Sequence, residues 1–271
     1  MLTDAKLKTE IKRLSNPQIL KTKQVEQYCK WLDRRRKLRR PGRVVGDTGL
    51  GKTSASIYYA FQNMATKRPN SHPKIPVLYI ELTGSACSAS VLFEHIATGL
   101  KQKIGSGKVS QQKKIVWNCL KQAQVEMLII DEAHRLQFQA LNDIRDLEKQ
   151  AGVLPILVGT NSRLDTLMSK DEQVISRFAC HFSFERLTTG TFINTIKLWE
   201  EEVLDLPDKS KLAENTQIVT LLQERTDGQI RLLDQILRDA AVYALENGKT
   251  KIDEAILKAI EGDYFLVSSL G

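Results

Sequence analysis

Four cysteines are scattered along the 271 residues, Cys29, Cys87, Cys119 and Cys180, and no two form a C-x-x-C pair. That spacing excludes a zinc ribbon or a disulfide scaffold and leaves reduced, packing thiols. Histidine is equally sparse: His72, His95, His134 and His181 make no H-E-x-x-H and no Cys/His cluster, so no ligand set for a protein-held metal is expected. No uninterrupted apolar run reaches the ~18 residues a membrane helix needs, and the opening MLTDAKLKTEIKRL lacks the apolar block of a secretory signal. The expectation is a cytoplasmic, nucleoid-associated chain with no membrane partner. Internal repeats and low-complexity tracts are missing too, which sets aside solenoids and disordered linkers.

What is present is an ordinary globular composition, 42% hydrophobic and 27% charged. At about 150 residues per domain, the length suits a core with one attached subdomain. Forty Lys and Arg against 32 Asp and Glu leave a net charge of +8, a balance that favours a polyanionic partner, nucleic acid first. Arg34, Arg35, Arg36, Lys37, Arg39, Arg40 and Arg43 place seven cations in ten residues, broken by Pro41 and Gly42, which should end a helix. The block either touches nucleic-acid phosphates or is a solvated helix end whose cations complement the helix dipole.

Between about residues 41 and 185, short apolar strands alternate with amphipathic helices. RVV at 43–45, VLYIEL at 77–82, VEMLIID at 125–131, PILVG at 155–159 and HFSF at 181–184 read as strands. The segments 52–67, 90–104, 111–122 and 138–150 carry helical spacing. This alternation, with right-handed crossovers, predicts a parallel α/β sheet covered on both faces. After Glu185 the strands stop. Residues 189–206, 215–225, 229–246 and 252–261 read as helices, separated by Pro207, Asp227-Gly228 and Asn247-Gly248. Three parts are therefore expected: a short N-terminal helical basic extension (1–40), an α/β core (41–185), and an α-helical lid subdomain with a C-terminal tail (186–271). In the extension, Val25, Tyr28, Cys29, Trp31 and Leu32 supply one narrow apolar face.

Gly46-Asp47-Thr48-Gly49-Leu50-Gly51-Lys52-Thr53 fits G-x-x-x-x-G-K-[ST], follows the strand RVV and precedes the helical run TSASIYYAFQNM. That is the context the pattern requires. Glycines let backbone N–H groups curl around phosphate oxygens, while the helix that continues through Ser54 adds its partial positive charge. Lys52 then reaches the β/γ-phosphates of ATP. The Thr53 hydroxyl goes to Mg²⁺, a hard cation that prefers oxygen.

About 80 residues downstream, Met127 to Glu132 form a buried strand ending in two carboxylates. Asp131 is expected at Mg²⁺ through a water, and Glu132 as the general base that polarises the attacking water. An acidic helix cap would explain one carboxylate but not the pairing with a phosphate loop. The letters DEAH at 131–134 match a helicase label, but such helicases need two tandem motor domains. His134 is expected to start the next helix and to leave Arg135 for a partner across an interface. Thr160 and Asn161 end a further strand where they can hydrogen-bond a γ-phosphate and the attacking water, or form an Asx-turn. Arg177, among the apolar residues of VISRF, is either a finger acting in trans on a neighbour's γ-phosphate or one end of an internal salt bridge. Gly228-Gln-Ile-Arg231 opens a helix and sets Arg231 to reach the same phosphate.

Taken together, GDTGLGKT, LIIDE, LVGTN, ISRF and GQIR, in this order and followed by helices only, resemble an AAA+ ATPase over about residues 40–265. More narrowly, KWLDRRRKLRRPGRVVG, VEMLIIDEAHRL, LVGTNSRLDTLMSKDEQVISRF and DGQIRLLDQILRDAA are similar to the TnsC/TniB group of transposition ATPases, related to MuB. The resemblance implies a P-loop AAA+ parallel-sheet core with a helical lid, and Mg²⁺-dependent hydrolysis of ATP. It further implies ATP-bound homo-oligomers, filaments or rings, on double-stranded DNA, with a transposase and a target selector of the TniQ type as partners. Within it the sensor arginine falls on Arg231, the finger on Arg177 and the first sensor on Asn161, with Thr160 as the other option. DNA contacts are implied after the second strand, in the region 85–114, where Lys103 and Lys108 are the expected cations unless they are ordinary solvated lysines. A helicase loader or replication initiator built on the same core is the alternative function, and a nucleotide-gated scaffold a third. The lack of an appended winged-helix or zinc module argues against most initiators, and the complete Glu132 and Arg177 argue against a dead scaffold.

Overall fold

The computed structural model describes residues 4–16, 18–64, 74–105, 107–260 and 262. His72, the end of the expected helix 52–67, residue 261 and the tail from 263 lie outside the described residues. In chain order the elements begin α1 (Asp4–Ser15), α2 (Lys23–Leu38), β1 (Gly42–Val45), α3 (Lys52–Gln62), β2 (Val77–Glu81), α4 (Ala89–Gly99) and α5 (Val109–Gln122). There follow β3 (Met127–Asp131), α6 (Phe138–Ala151), β4 (Leu154–Val158), α7 (Asn161–Met168), α8 (Glu172–Arg177) and β5 (His181–Ser183). The chain finishes with α9 (Thr189–Glu202), α10 (Thr216–Thr226), α11 (Ile230–Glu246) and α12 (Glu254–Ala259).

The five strands form one parallel sheet in the order β2-β3-β4-β1-β5. Every residue of β3 and β4 is buried, as expected of central strands written MLIID and LPILV, whereas β5 is a short edge. Because all strands run the same way, the C-terminal ends of β1, β3 and β4 share one edge of the sheet, with β4 between the other two. Register carries this to single residues: Glu81 lies opposite Asp131, and Ile130 opposite Leu157.

The chain divides into two compact units: residues 23–48 with 52–184, and residues 1–22, 49–51 and 185–271. In the first, Leu92, Phe93 and Ile96 of α4, Val116 and Leu120 of α5 and Leu141 and Ile144 of α6 pack with Leu128, Ile130 and Leu157 of the sheet. Helix α2 also belongs here: Tyr28 is fully buried against Phe182 and Phe184, and its hydroxyl lies 2.9 Å from Ser56 Oγ.

The second unit is helical. Trp199, Phe192, Ile236, Leu237 and Leu257 fill its centre, together with Leu14 from α1. Arg238 of α11 fastens α1 by donating to the carbonyl of Leu14 at 2.7 Å, which satisfies an acceptor left over at a helix end. Asp234 holds that arginine at 2.8 Å and takes the Trp199 indole N–H at 3.0 Å. The first forty residues, expected as one extension, are thus shared between the two units. Leu14 buries itself among the C-terminal helices, whereas Tyr28 and Leu32 bury themselves beside the sheet.

Candidate nucleotide-binding and hydrolysis site

The glycine loop bends sharply between β1 and α3. Gly46, Gly49 and Gly51 take φ of +148°, +83° and +91°, a region that side chains disfavour. At Gly46 space is short as well, since a Cβ would sit 2.6 Å from the carbonyl oxygen of Phe184. Lys52 opens α3 and is buried, and its ammonium donates to the carbonyls of Gly46 at 2.8 Å and Asp47 at 2.6 Å. Burial holds its pKa below the usual lysine value, with the charges of Asp131 and Glu132 pulling the other way. Asp47, Thr48 and Ser54 are exposed around the loop, and Leu50 is buried.

Asp131 ends β3 almost wholly buried, which a carboxylate tolerates only when hydrogen-bonded. Its Oδ2 accepts from the Thr53 hydroxyl at 2.6 Å and the Tyr79 hydroxyl at 3.1 Å, and its Oδ1 from the backbone N–H of Glu132 at 2.8 Å. Burial and the Asp131 charge push the Tyr79 phenol well above its ordinary value, so it remains a donor. A hydroxyl and a carboxylate meeting in this way form the hard-oxygen pair that suits Mg²⁺ next to a phosphate. The donor set present therefore fits that ion.

Glu132 follows in the left-handed region at φ +54°, a conformation uncommon for a residue with a side chain. Residues 133–135 form one turn of 3₁₀-helix, so His134 and Arg135 sit in it and α6 begins only at Phe138. Glu132 Oε2 accepts from Arg135 Nε at 3.2 Å and lies 3.5 Å from His134 Nε2. Burial lowers the His134 pKa, and the neighbouring Glu132 opposes that shift.

At the end of β4, Thr160 Oγ1 is buried and has no hydrogen-bond partner among the described residues. Asn161 is the first residue of α7 and is exposed. Strand order puts both between the glycine loop and the Asp-Glu pair. An unpaired buried hydroxyl at that position is suited to meeting a phosphate oxygen or the water beside it.

Arg177, the last residue of α8, is paired within the chain: its Nε donates to Glu148 Oε2 at 2.8 Å and its Nη2 to the same oxygen. In the helical unit, the backbone N–H of Arg231 donates to the carbonyl of Gly49 at 3.0 Å, and the Gln229 amide oxygen crowds Gly49. The Arg231 side chain is exposed. Lys103 and Lys108 are both exposed between α4 and α5, while Lys113 nearby is held by Asp143 at 2.7 Å and Asp146 at 2.8 Å.

Four partners go unnamed by the sequence reading: Tyr79 on Asp131, Glu148 on Arg177, Arg135 on Glu132 and Gln229 at Gly49. Only Arg135 had a signal, its i+3 spacing from Glu132. The others need the strand register or the packing of remote helices.

A parallel sheet in this order, with a glycine loop after β1 and an acidic pair after β3, defines the P-loop AAA+ class. The chain belongs to the bacterial TniB protein family, whose profile matches residues 10–186. A protein of Staphylococcus aureus described as a potential ATP-binding protein is 22% identical over 90% of this chain and 95% of its own length. The ATP-dependent target DNA activator B of Escherichia phage Mu is 28% identical over 79% of this chain, a match spanning 63% of the activator. Among solved structures, the Aeropyrum pernix ORC2 protein in its ADPNP–ADP complexes superposes with a TM-score of 0.71 at 14% identity, covering 95% of this chain and 73% of that one.

Proposed function

We propose that this chain is a Mg²⁺-dependent ATPase that regulates DNA transposition from the cytoplasmic nucleoid. In this reading ATP-bound copies assemble as oligomers or filaments on duplex DNA, link a TniQ-type target selector to a transposase, and come apart on hydrolysis. The observation that carries it is the Thr53–Asp131 hydrogen bond beside the Lys52 glycine loop, in a chain of the TniB family. The phage Mu relative, named for ATP-dependent activation of target DNA, supports the DNA side of the reading.

Lys52 exchanges its carbonyl partners for the β/γ-phosphate oxygens, where its charge is worth more. Thr53 and Asp131 would hold Mg²⁺, which when bound neutralises charge on the phosphates. Glu132 accepts a proton from water as the water oxygen bonds to the γ-phosphorus and the bond to the β-phosphate oxygen breaks, releasing ADP and phosphate. Thr160 or Asn161 orients that water, Arg231 contacts the nucleotide, and Arg177 of a neighbouring copy stabilises the charge in transfer.

Two substitutions test the reading. Lys52→Ala should weaken ATP binding by about tenfold or more, the loss of a charge-assisted hydrogen bond of ~1.5–3 kcal/mol. Glu132→Gln should bind ATP normally, hydrolyse it about a hundredfold more slowly or worse, and give longer-lived assemblies on DNA. Unchanged ATP affinity in the first by equilibrium titration, or normal turnover in the second, would overturn the assignment.

A further inference from the structure

Asp131 is 1% exposed, so its two oxygens must find their hydrogen bonds inside the protein. A carboxylate offers about four acceptor positions, two on each oxygen. Among the described residues three are filled: Oδ2 takes the hydroxyls of Thr53 at 2.6 Å and Tyr79 at 3.1 Å, and Oδ1 takes the Glu132 N–H at 2.8 Å. The position left over lies on Oδ1.

The three donors do different work. The Glu132 N–H comes with the backbone of the next residue. The Thr53 hydroxyl gives its hydrogen to Asp131 and keeps its own lone pairs for a cation. Tyr79 belongs to neither motif. It stands on β2, where the register sets Glu81 opposite Asp131 and Tyr79 opposite Ile129, so Tyr79 is diagonal to Asp131 on the same face of the sheet.

The last torsion of an aspartate is broad and close to two-fold, so packing alone does not fix the plane of its carboxylate. The hydroxyls of Thr53, from α3, and Tyr79, from β2, converge on Oδ2 while the backbone holds Oδ1, and that combination sets the plane. Tyr79 is half-buried on a strand. A phenylalanine there would keep the ring and supply no hydrogen.

We propose that Tyr79 is a positioning residue for the divalent cation of the nucleotide site: its hydroxyl fills the second acceptor position of Asp131 Oδ2, fixes the carboxylate plane, and keeps the remaining position on Oδ1 for a water held by the cation. The inference deepens the proposed ATPase reading and rests on it. Outer partners of this kind govern metal affinity by tenfold or more. The phosphate contacts of the glycine loop and Lys52 do not pass through Tyr79, so nucleotide binding without metal is independent of it.

Equilibrium titration of the full chain with a non-hydrolysable ATP analogue, in EDTA and across a Mg²⁺ series, tests it, with thermal melts of every variant. Tyr79→Phe should fold, because Asp131 keeps two of its three donors, and should bind the analogue in EDTA as wild type does. The Mg²⁺ concentration that half-saturates the gain in analogue affinity should rise about tenfold. Mn²⁺ binding to the analogue-loaded chain, read by electron paramagnetic resonance, should weaken to the same extent. Asp131→Asn should lose cation affinity as well, and adding Tyr79→Phe to it should cost little more, because the hydroxyl acts through the carboxylate. A merely structural tyrosine would lower the melting temperature and leave the cation dependence alone. Wild-type Mg²⁺ and Mn²⁺ affinities in Tyr79→Phe, additive losses in the double variant, or a Tyr79→Phe chain that no longer melts cooperatively overturns the proposal and leaves the ATPase reading standing. A folded wild-type chain whose analogue binding ignores Mg²⁺ overturns both.

Discussion

Arg177 cannot act on a neighbour's nucleotide while Glu148 holds it, and this makes Glu148 a sharper probe than the arginine itself. The two side chains keep 22% and 23% of their surface exposed, and two of the three guanidinium nitrogens, Nε and Nη2, fall on a single carboxylate oxygen rather than pairing fork to fork. A partly exposed pair of this kind is worth up to about 1 kcal/mol. A finger in trans must give up that energy before it reaches a phosphate. Glu148→Gln removes the charge and keeps an acceptor of the same shape, so it should lower the cost by nearly the whole amount. At subunit concentrations that limit assembly on DNA, the rate should rise by up to about fivefold.

The same substitution should cost the folded chain up to about 1 kcal/mol, a fall in Tm of roughly 2–4 °C for a unit of this size. Stability and activity then move in opposite directions, which a purely structural ion pair does not allow. Phosphate release on duplex DNA, measured across subunit concentration and set beside thermal melts, reads both. Arg177→Ala should be inactive alone, yet recover partial activity when mixed with Lys52→Ala, because some interfaces then join an intact Lys52 to an intact Arg177. If Glu148→Gln loses rate in step with stability and the co-assembled mixture recovers nothing, Arg177 is a structural cation.

Removing the charges of Lys103 and Lys108 together should flatten the salt dependence of duplex binding by about 0.9 in log–log slope for each phosphate that they neutralise, with ATP binding by the free protein unchanged; a wild-type slope in filter-binding titrations would show that these lysines are merely solvated. His134 should make the fold acid-sensitive. Burial lowers its pKa in the folded state, so as pH falls below about 6.5 the unfolded chain takes up a proton first and stability declines. Denaturant melts at pH 7.5 and 5.5 should therefore show a larger loss for wild type than for His134→Gln, and equal losses would refute the burial argument. Arg36→Ala should destabilise the fold by roughly 1–3 kcal/mol, since it removes charge-assisted bonds that hold two elements together, without changing the salt slope of DNA binding; a changed slope would return Arg36 to the DNA surface.

Legibility in this chain follows the distance over which each feature is decided. The glycine loop and the Asp-Glu pair are written within eight and six consecutive residues, and the apolar runs before them could only be buried strands, so both motifs land at one sheet edge. Strand pairing is decided at longer range. Nothing local sets Tyr79 diagonal to Asp131, and that diagonal brings the two side chains together on one face. Longer still is the reach from Arg238 to Leu14, which draws α1 into the C-terminal helical unit.

The basic block at 34–43 shows the same rule from the side of charge. Its spacing left two readings open, and the fold uses a third: Arg36 bonds Asn63 at 2.6 Å and Glu126 at 2.7 Å, Arg43 bonds Asp165 at 2.6 Å, Arg39 donates to the Gly152 carbonyl, and Arg35 is buried over the Trp31 ring. The acceptors come from the end of α3, from α7, the start of β3 and the turn after α6, so no reading of ten residues could have named them. Arg34, Lys37 and Arg40 stay exposed with no ion pair among the described residues, and Arg39, exposed and bonded only to a carbonyl, also keeps its charge. A net charge of +8 therefore overstates the electrostatic reach of this chain wherever its arginines already serve as struts. Among the described residues the exposed Lys101, Lys103 and Lys108 between α4 and α5 have no ion pair or side-chain hydrogen bond, and a polyanion reaching them would sit at the far end of the helix whose capped start adjoins the turn that carries Glu132.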